Sequence, residues 1–90
     1  MSDKSRVDKP KPVLRLYTRA ECHLCDEMKK DLFSIKDDYG FHFEVHDVET
    51  LQGGAARYNE LVPVLLWGKD VVCYRKLDRK LLARALGVKQ

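Results

Sequence analysis

Long apolar runs, internal repeats and low-complexity segments are all missing from this sequence of 90 residues. Without an apolar run of ~18 residues, a membrane-spanning helix is not expected. The opening segment, MSDKSRVDKPKP, is charged, contains prolines and lacks the apolar stretch that a secretory signal requires. A chain this short builds one modest core. We therefore expect a disordered tail over residues 1–12, a single domain over residues 13–90, and a soluble protein of the cytoplasm.

Cysteine is also scarce, with three residues in the chain. An odd number argues against a scaffold held together by disulfides. In a reducing compartment, closely spaced cysteines are more often catalytic or metal-binding than structural. Cys22 and Cys25 are therefore the residues of interest. Cys73 lies within a separate apolar run, DVVCY, and we expect it to be a buried structural thiol.

Charge of one sign is not in large excess, because the formal net charge is +3. The basic residues of the domain are concentrated in one late segment, YRKLDRKLLARALGVK. No set of aromatic side chains that would stack on bases accompanies them. We interpret this segment as the solvated face of a helix, and a nucleic-acid partner is not expected.

The first half of the chain carries the pattern of a βαβ unit. Residues 13–17 form a short apolar run of strand length. A helix over residues 24–39 follows, ended by Gly40, and its apolar face is predicted from residues at helical spacing: Leu24, Met28, Leu32 and Ile35. Apolar and polar residues then alternate over residues 41–46, which predicts a strand with one buried face. The two strands should be parallel and joined by a right-handed crossover.

The second half predicts two antiparallel strands and a final helix. Residues 47–59 are interrupted by two glycines, so we expect a short or irregular helix there. The run VPVLLW is typical of a central strand, and Gly68-Lys69 favours a type II′ hairpin into a fourth strand. Asp78 can cap the last helix, which ends near Gly87. Its predicted apolar stripe comprises Leu81, Leu82, Ala85 and Leu86.

The CxxC pair lies where a strand gives way to a helix. Unpaired backbone N–H groups and the helix dipole at a helix N-terminus favour a thiolate, which is the form that attacks disulfides. Cys22 is therefore the candidate nucleophile. Cys25, one helical turn later, is the candidate resolving thiol that would displace the reduced product from a mixed disulfide. Such an enzyme is left oxidised and needs an external reductant.

Pro63 stands near the start of the predicted central strand. A proline is hard to accommodate there unless it ends a loop. Because X-Pro bonds are the only common place for a cis peptide, we predict that the Val62–Pro63 bond is cis.

These residues together resemble a known family. The segments YTRAECHLC and LVPV, in a β-α-β-α-β-β-α order, are similar to the glutaredoxin-like branch of the thioredoxin fold over residues 13–87. The resemblance implies an α/β fold with a four-stranded mixed sheet flanked by helices, and a thiol–disulfide oxidoreductase of cell redox homeostasis. It also implies that Pro63 faces the nucleophile Cys22, that Val62 offers its backbone to an extended substrate, and that Arg19 takes the place of a glutathione-binding lysine.

The sequence departs from typical glutaredoxins at two places. His23 and Leu24 stand between the cysteines where proline and tyrosine are usual. After the fourth strand, YRKLD replaces a Gly-Gly followed by an acidic residue, so that Asp78 alone matches. We expect no required cofactor, a disulfide-bearing protein or small thiol as substrate, and the thioredoxin or glutathione system as reductant, although the glutathione motif is incomplete. The protein is expected to be a monomer.

Two other functions remain open from the residues. The CxxC pair is compatible with a metal or iron–sulfur carrier, but a zinc site needs four ligands and no second paired motif is present. His42 and His46 are interpreted as solvent-side residues of an edge strand, so no metal ligand is assigned. The third reading is a binding module that keeps the thioredoxin fold without turnover.

Overall fold

The computed structural model describes residues 11–48, 58 and 60–87. Within these residues the chain forms four strands and two helices: β1 (Val13–Thr18), α1 (His23–Tyr39), β2 (His42–Asp47), β3 (Val64–Trp67), β4 (Asp70–Tyr74) and α2 (Arg79–Leu86). The strands form one sheet in the order β2-β1-β3-β4. β1 and β2 are parallel, and the other neighbouring pairs are antiparallel. The predicted α/β class with a mixed four-stranded sheet is confirmed.

Two groups of buried residues lie on opposite faces of the sheet, because neighbouring strand residues point to opposite sides. The larger cluster contains Leu14 and Leu16 of β1, which pack with α1 and with Leu82 of α2. The smaller cluster contains Tyr17 of β1 and Val64 of β3. Both helices therefore cover the face of the larger cluster.

The buried face of α1 differs from the predicted one at its first residue. Its buried residues are Cys25, Met28, Leu32 and Ile35, whereas Leu24 is only partly buried. Both sets have helical spacing, and a cysteine packs as a small apolar residue. The spacing therefore did not distinguish Leu24 from Cys25. As predicted, the helix ends at Gly40, which has a φ of 75°.

The β3–β4 hairpin has the predicted two-residue loop. Trp67 pairs with Asp70, which leaves Gly68 and Lys69 as the turn. Gly68 has a φ of 64°, the positive value that a type II′ turn requires at its first position. β3 is thus held between β1 and β4, as expected for a central strand.

The buried face of α2 is rotated from the predicted stripe. Leu82 and Ala83 are buried and Leu86 is partly buried against the larger cluster, whereas Leu81 is 41% exposed and Ala85 is exposed. Ala83 was not predicted. Apolar residues occur at 81, 82, 83, 85 and 86, so the pattern did not decide which of two overlapping faces of the helix meets the sheet.

Several predictions fall outside the described residues. The tail over residues 1–12 is described only at residues 11 and 12, and the irregular helix within residues 47–59 only at residues 47, 48 and 58. The division into a tail and one domain therefore stays a prediction. Neither described helix is long and apolar enough to cross a membrane.

Candidate functional site

The two cysteines of the CxxC pair are joined in a disulfide at the start of α1. Their Cα atoms are 5.1 Å apart. Cys22 is the N-cap of the helix, with φ −115° and ψ 105°, and its Sγ accepts a hydrogen bond of 3.1 Å from the backbone N–H of Cys25. The predicted position of Cys22 at a helix N-terminus is confirmed. A backbone donor is therefore aimed at the sulfur that was expected to carry negative charge.

The two sulfurs differ in access to solvent. Cys25 is 1% exposed and belongs to the smaller buried cluster, whereas Cys22 is only partly buried and packs against that cluster from outside. A disulfide of another molecule can react only with a thiol that it can reach. The difference in exposure therefore allows such a reaction at Cys22 and hinders it at Cys25. Cys22 is the sulfur that a partner can approach.

The loop before Cys22 turns at Glu21. Glu21 has a φ of 55°, which lies in the left-handed region that favours glycine. Arg19, Ala20 and Glu21 are all exposed in this loop. Arg19 thus lies in the surface loop that leads into Cys22. Its role in binding an anion stays a prediction.

The Val62–Pro63 peptide bond is cis, as predicted. Pro63 is buried and ends the loop that leads into β3, which is a position where a strand tolerates proline. Val62 is 5% exposed and lies in the smaller cluster with Cys25, against which Cys22 also packs. The tertiary structure therefore brings Val62 and both cysteines together, although they are far apart in the sequence.

Arg75 holds the loop that carries Val62 and Pro63. Its backbone N–H donates to the Pro63 carbonyl over 2.7 Å, and its Nη2 donates to the Glu60 carbonyl over 3.2 Å. Sequence reasoning did not single out Arg75. The available signal was limited to a basic residue directly after β4.

A shallow groove of about 180 Å³ runs beside the cysteine pair, between α1 and the turn that joins β4 to α2. The α1 side of the groove carries two carboxylates and the turn carries two basic side chains, with apolar residues on both sides. The lining residues are Leu24, Glu27, Met28, Asp31, Arg75, Lys76 and Leu77. Leu24, one of the two residues between the cysteines, therefore faces this groove rather than the core.

His23 is the other residue between the cysteines. Its Nε2 lies 2.9 Å from Oε2 of Glu27, one helical turn later, and its side chain is 85% exposed. When protonated, the imidazole pairs with a carboxylate, so that its positive charge is partly neutralised beside Cys22. His23 is thus an exposed surface residue of the site.

Comparison with known proteins agrees with this architecture. The sequence pattern of the glutaredoxin-like domain (DUF836) matches residues 13–87. This chain belongs to the glutaredoxin-like family. A solved relative of the same fold is protein Ne2328 from Nitrosomonas europaea, known from a solution NMR structure; it is 29% identical, with a TM-score of 0.73, and the match covers 94% of this chain and 98% of the other. No curated protein matches the chain.

The third thiol of this glutaredoxin-like protein is separate from the pair. Cys73 is a free cysteine, 7% exposed, in the larger cluster. Burial raises the pKa of its thiol above the ordinary value of 9.0; a hydrogen bond from the Asp78 backbone acts in the opposite direction, and the Asp78 charge adds to the increase. The prediction of a buried structural thiol is confirmed in its burial.

The described part of this glutaredoxin-like chain holds no cluster of three or more His, Cys, Asp or Glu side chains that would bind a metal ion. His42 is exposed on β2, an edge strand, and His46 pairs there with Glu44 over 3.1 Å. His42 therefore has the solvent-side position predicted for it. His46 does not, because it is partly buried and its ring packs edge-on against Tyr17, with ring centroids 6.0 Å apart. The predicted buried face of β2 is also wrong at Val45, which is 45% exposed. Among the described residues, Cys22 and Cys25 therefore form the candidate reactive pair.

Proposed function

We propose that the protein is a thiol–disulfide oxidoreductase that works through Cys22 and Cys25. The observation that carries the proposal is the asymmetric disulfide at the N-terminus of α1, in which an accessible cap sulfur is bonded to a buried one. Membership of the glutaredoxin-like family and the nearby Val62–Pro63 loop support a redox role.

The reaction starts from the reduced protein. The Cys22 thiolate attacks one sulfur of a substrate disulfide; the substrate S–S bond breaks, the other sulfur leaves as a thiolate and takes a proton from water, and a mixed disulfide forms. The Cys25 thiol gives its proton to solvent and its sulfur attacks Cys22. The second substrate sulfur then leaves and is protonated. The substrate gains two electrons and two protons, and the protein leaves with the Cys22–Cys25 disulfide.

The N-terminus of α1 favours the attacking form of Cys22. The Cys25 N–H lies 3.1 Å from the Cys22 sulfur, and the positive end of the helix dipole adds to its effect. Both interactions stabilise the thiolate relative to the thiol.

Val62 is the proposed docking edge for substrate. Among the described residues, no backbone hydrogen bond outside the helices and strands involves Val62. We propose that an extended substrate segment pairs with this backbone while its cysteine faces Cys22. Arg19, exposed in the loop before the pair, supplies a positive charge for an acidic substrate group.

The proposed cycle needs no bound cofactor, because both electrons reside in the two sulfurs. A two-electron donor, either the glutathione or the thioredoxin system, restores the dithiol. The substrate is a disulfide-bearing protein or a small disulfide, and the protein acts in the cytoplasm as a monomer. A disulfide substrate and an external two-electron donor are proposed because a dithiol–disulfide cycle requires both.

The decisive experiment replaces Cys22 with serine. Turnover of a small symmetric disulfide, measured with glutathione and with thioredoxin as separate electron sources, should fall by at least ~1000-fold, since a hydroxyl is a far weaker nucleophile than a thiolate. Cys25→Ser should instead accumulate a mixed disulfide on Cys22, detectable by mass spectrometry.

Cys73→Ser is the matched control because its thiol lies in the other cluster; it should retain the wild-type rate per folded molecule. Undiminished turnover by Cys22→Ser would refute the assignment. Protein purified without oxygen that carries stoichiometric iron or zinc and turns over no disulfide would favour the carrier function instead.

A further inference from the structure

We propose that Arg75 is a positioning residue that fixes the Val62–Pro63 loop against the cysteine pair and thereby sets the affinity for extended peptide disulfides. The inference rests on the proposed function, since it assigns the loop to substrate docking. Arg75 directly follows β4 and lies outside the CxxC motif. It is bonded to the loop by two hydrogen bonds.

One residue holds the loop on both sides of Val62. The backbone N–H of Arg75 bonds to the Pro63 carbonyl, and its guanidinium bonds to the Glu60 carbonyl, over 2.7 and 3.2 Å. Val62 lies between these two acceptors in the chain. Its position relative to Cys22 and Cys25 is therefore restrained from both ends by Arg75.

The backbone of Arg75 indicates why the side chain matters. Arg75 has a φ of 68°, in the left-handed region that glycine adopts freely and other residues adopt at a cost. Glycine would make the backbone bond to Pro63 equally well, but it has no group that reaches Glu60. The guanidinium is thus the part of the restraint that requires an arginine, and it holds the half of the loop that β3 does not anchor.

Such a restraint affects extended substrates most. Main-chain pairing with an edge requires that the edge be held in one conformation before the partner arrives, because ordering a loop on binding lowers affinity. A loop released at Glu60 would leave the sulfur chemistry of Cys22 in place but weaken the docking of a peptide backbone. Arg75 is therefore expected to act on KM more than on kcat.

The test compares Arg75→Gly with Arg75→Lys, using Arg79→Ala as a control that removes the same charge from an exposed position on α2. Two measurements are made on the full chain: hydrogen exchange of the Leu61 amide, which donates to the Tyr58 carbonyl over 2.8 Å, and the kinetics of a peptide disulfide. In Arg75→Gly we expect faster exchange at this amide and a roughly two- to tenfold increase in KM, about what one ordinary net hydrogen bond contributes, with kcat within about twofold. Lysine should restore part of the affinity, and Arg79→Ala should match the wild type.

Unchanged exchange at Leu61 in Arg75→Gly would overturn the proposal, as would a fall in kcat with KM unaltered. Failure of the proposed function has a different signature, because the wild-type protein would then turn over no disulfide at all. In that event amide exchange still decides whether Arg75 holds the loop.

Discussion

The N-termini of the two helices have almost the same geometry and very different chemistry. Cys22 caps α1 with φ −115° and ψ 105°, and Asp78 caps α2 with φ −109° and ψ 104°. Each side chain accepts a hydrogen bond from the N–H three residues later, over 3.1 Å at Cys22 and 3.0 Å at Asp78. The backbone conformation is therefore the same at both helix N-termini. Their chemical difference comes from the cap side chain and from the residues around it.

A helix N-terminus favours negative charge wherever it occurs. At α2 that preference is met by an exposed carboxylate, and the result is a stabilised helix. At α1 the cap atom is a sulfur bonded to a second, buried sulfur, and the Val62 loop lies beside it. The N-terminus of α1 therefore differs from that of α2 in having a second thiol, Cys25, and the Val62 loop nearby. An N-cap residue alone does not make a helix N-terminus reactive.

A thiol lies near the N-terminus of each helix: Cys22 at α1 and Cys73 at α2. Cys73 accepts a hydrogen bond from the Asp78 backbone, so it too lies close to a helix N-terminus. Its burial nevertheless raises the thiol pKa, because desolvation disfavours the thiolate more than the hydrogen bond favours it. The difference between Cys22 and Cys73 therefore lies in their access to solvent.

The largest expected effect comes from giving α1 the cap of α2. Cys22→Asp should lower disulfide turnover by at least ~1000-fold, since a carboxylate cannot replace the sulfur nucleophile. The same variant, compared in the reduced state by denaturant unfolding, should be at least as stable as the wild type because aspartate is a strong N-cap. Cys22→Ala should lose turnover equally but be less stable than Cys22→Asp by about 1 kcal/mol. Equal stability of the two variants would show that the cap contributes nothing at α1.

A smaller effect is expected when the cap of α2 is removed. Asp78→Ala should lower the free energy of unfolding by about 1 kcal/mol, because the Leu81 N–H loses its acceptor, while turnover per folded molecule stays at the wild-type level. Asp78→Asn, which retains an acceptor oxygen, should be the milder change. A parallel fall in turnover would mean that this end of α2 takes part in the site, contrary to the comparison.

The smallest effect concerns Cys73 and appears as a pH dependence. Because its folded pKa is raised above 9.0, the stability that the buried neutral thiol contributes is fully present below that value and is lost as the pH rises through the higher folded pKa. The difference in unfolding free energy between the wild type and Cys73→Ala should therefore be constant below pH 9.0 and shrink as the pH rises above it. Both proteins are measured reduced, so that titration of the other two cysteines cancels. A constant difference above pH 9.0 would contradict the raised pKa.

Local features were predictable where a few neighbouring residues determine the outcome. Gly40 and Asp78 end and begin helices through their own backbone and side-chain preferences, and the Gly68-Lys69 turn follows from the positive φ that glycine accepts. The cis bond before Pro63 was predictable for a similar reason, because proline is the residue that permits it.

Predictions failed where two apolar residues stand side by side. Leu24 and Leu81 were placed in buried faces, but Leu24 is only partly buried and Leu81 is exposed, while Cys25 and Ala83 are buried although they were not predicted to be. Periodicity gives the width of an apolar face, while the neighbouring elements determine its direction. Arg75 was missed for a related reason: its partners lie in a loop 12 and 15 residues earlier, and no local pattern connects them.

By itself, the sequence determined the order of the described strands and helices, their caps, and the presence of a CxxC pair at a helix N-terminus, because these depend on contacts between residues close in the chain. The tertiary structure decided which sulfur is accessible, that Val62 shares a buried cluster with Cys25, and that Arg75 holds the Val62–Pro63 loop. The reason is that burial and long-range hydrogen bonds arise only when separate segments pack, and it is packing that makes Cys22 accessible while Cys25 and Cys73 are buried.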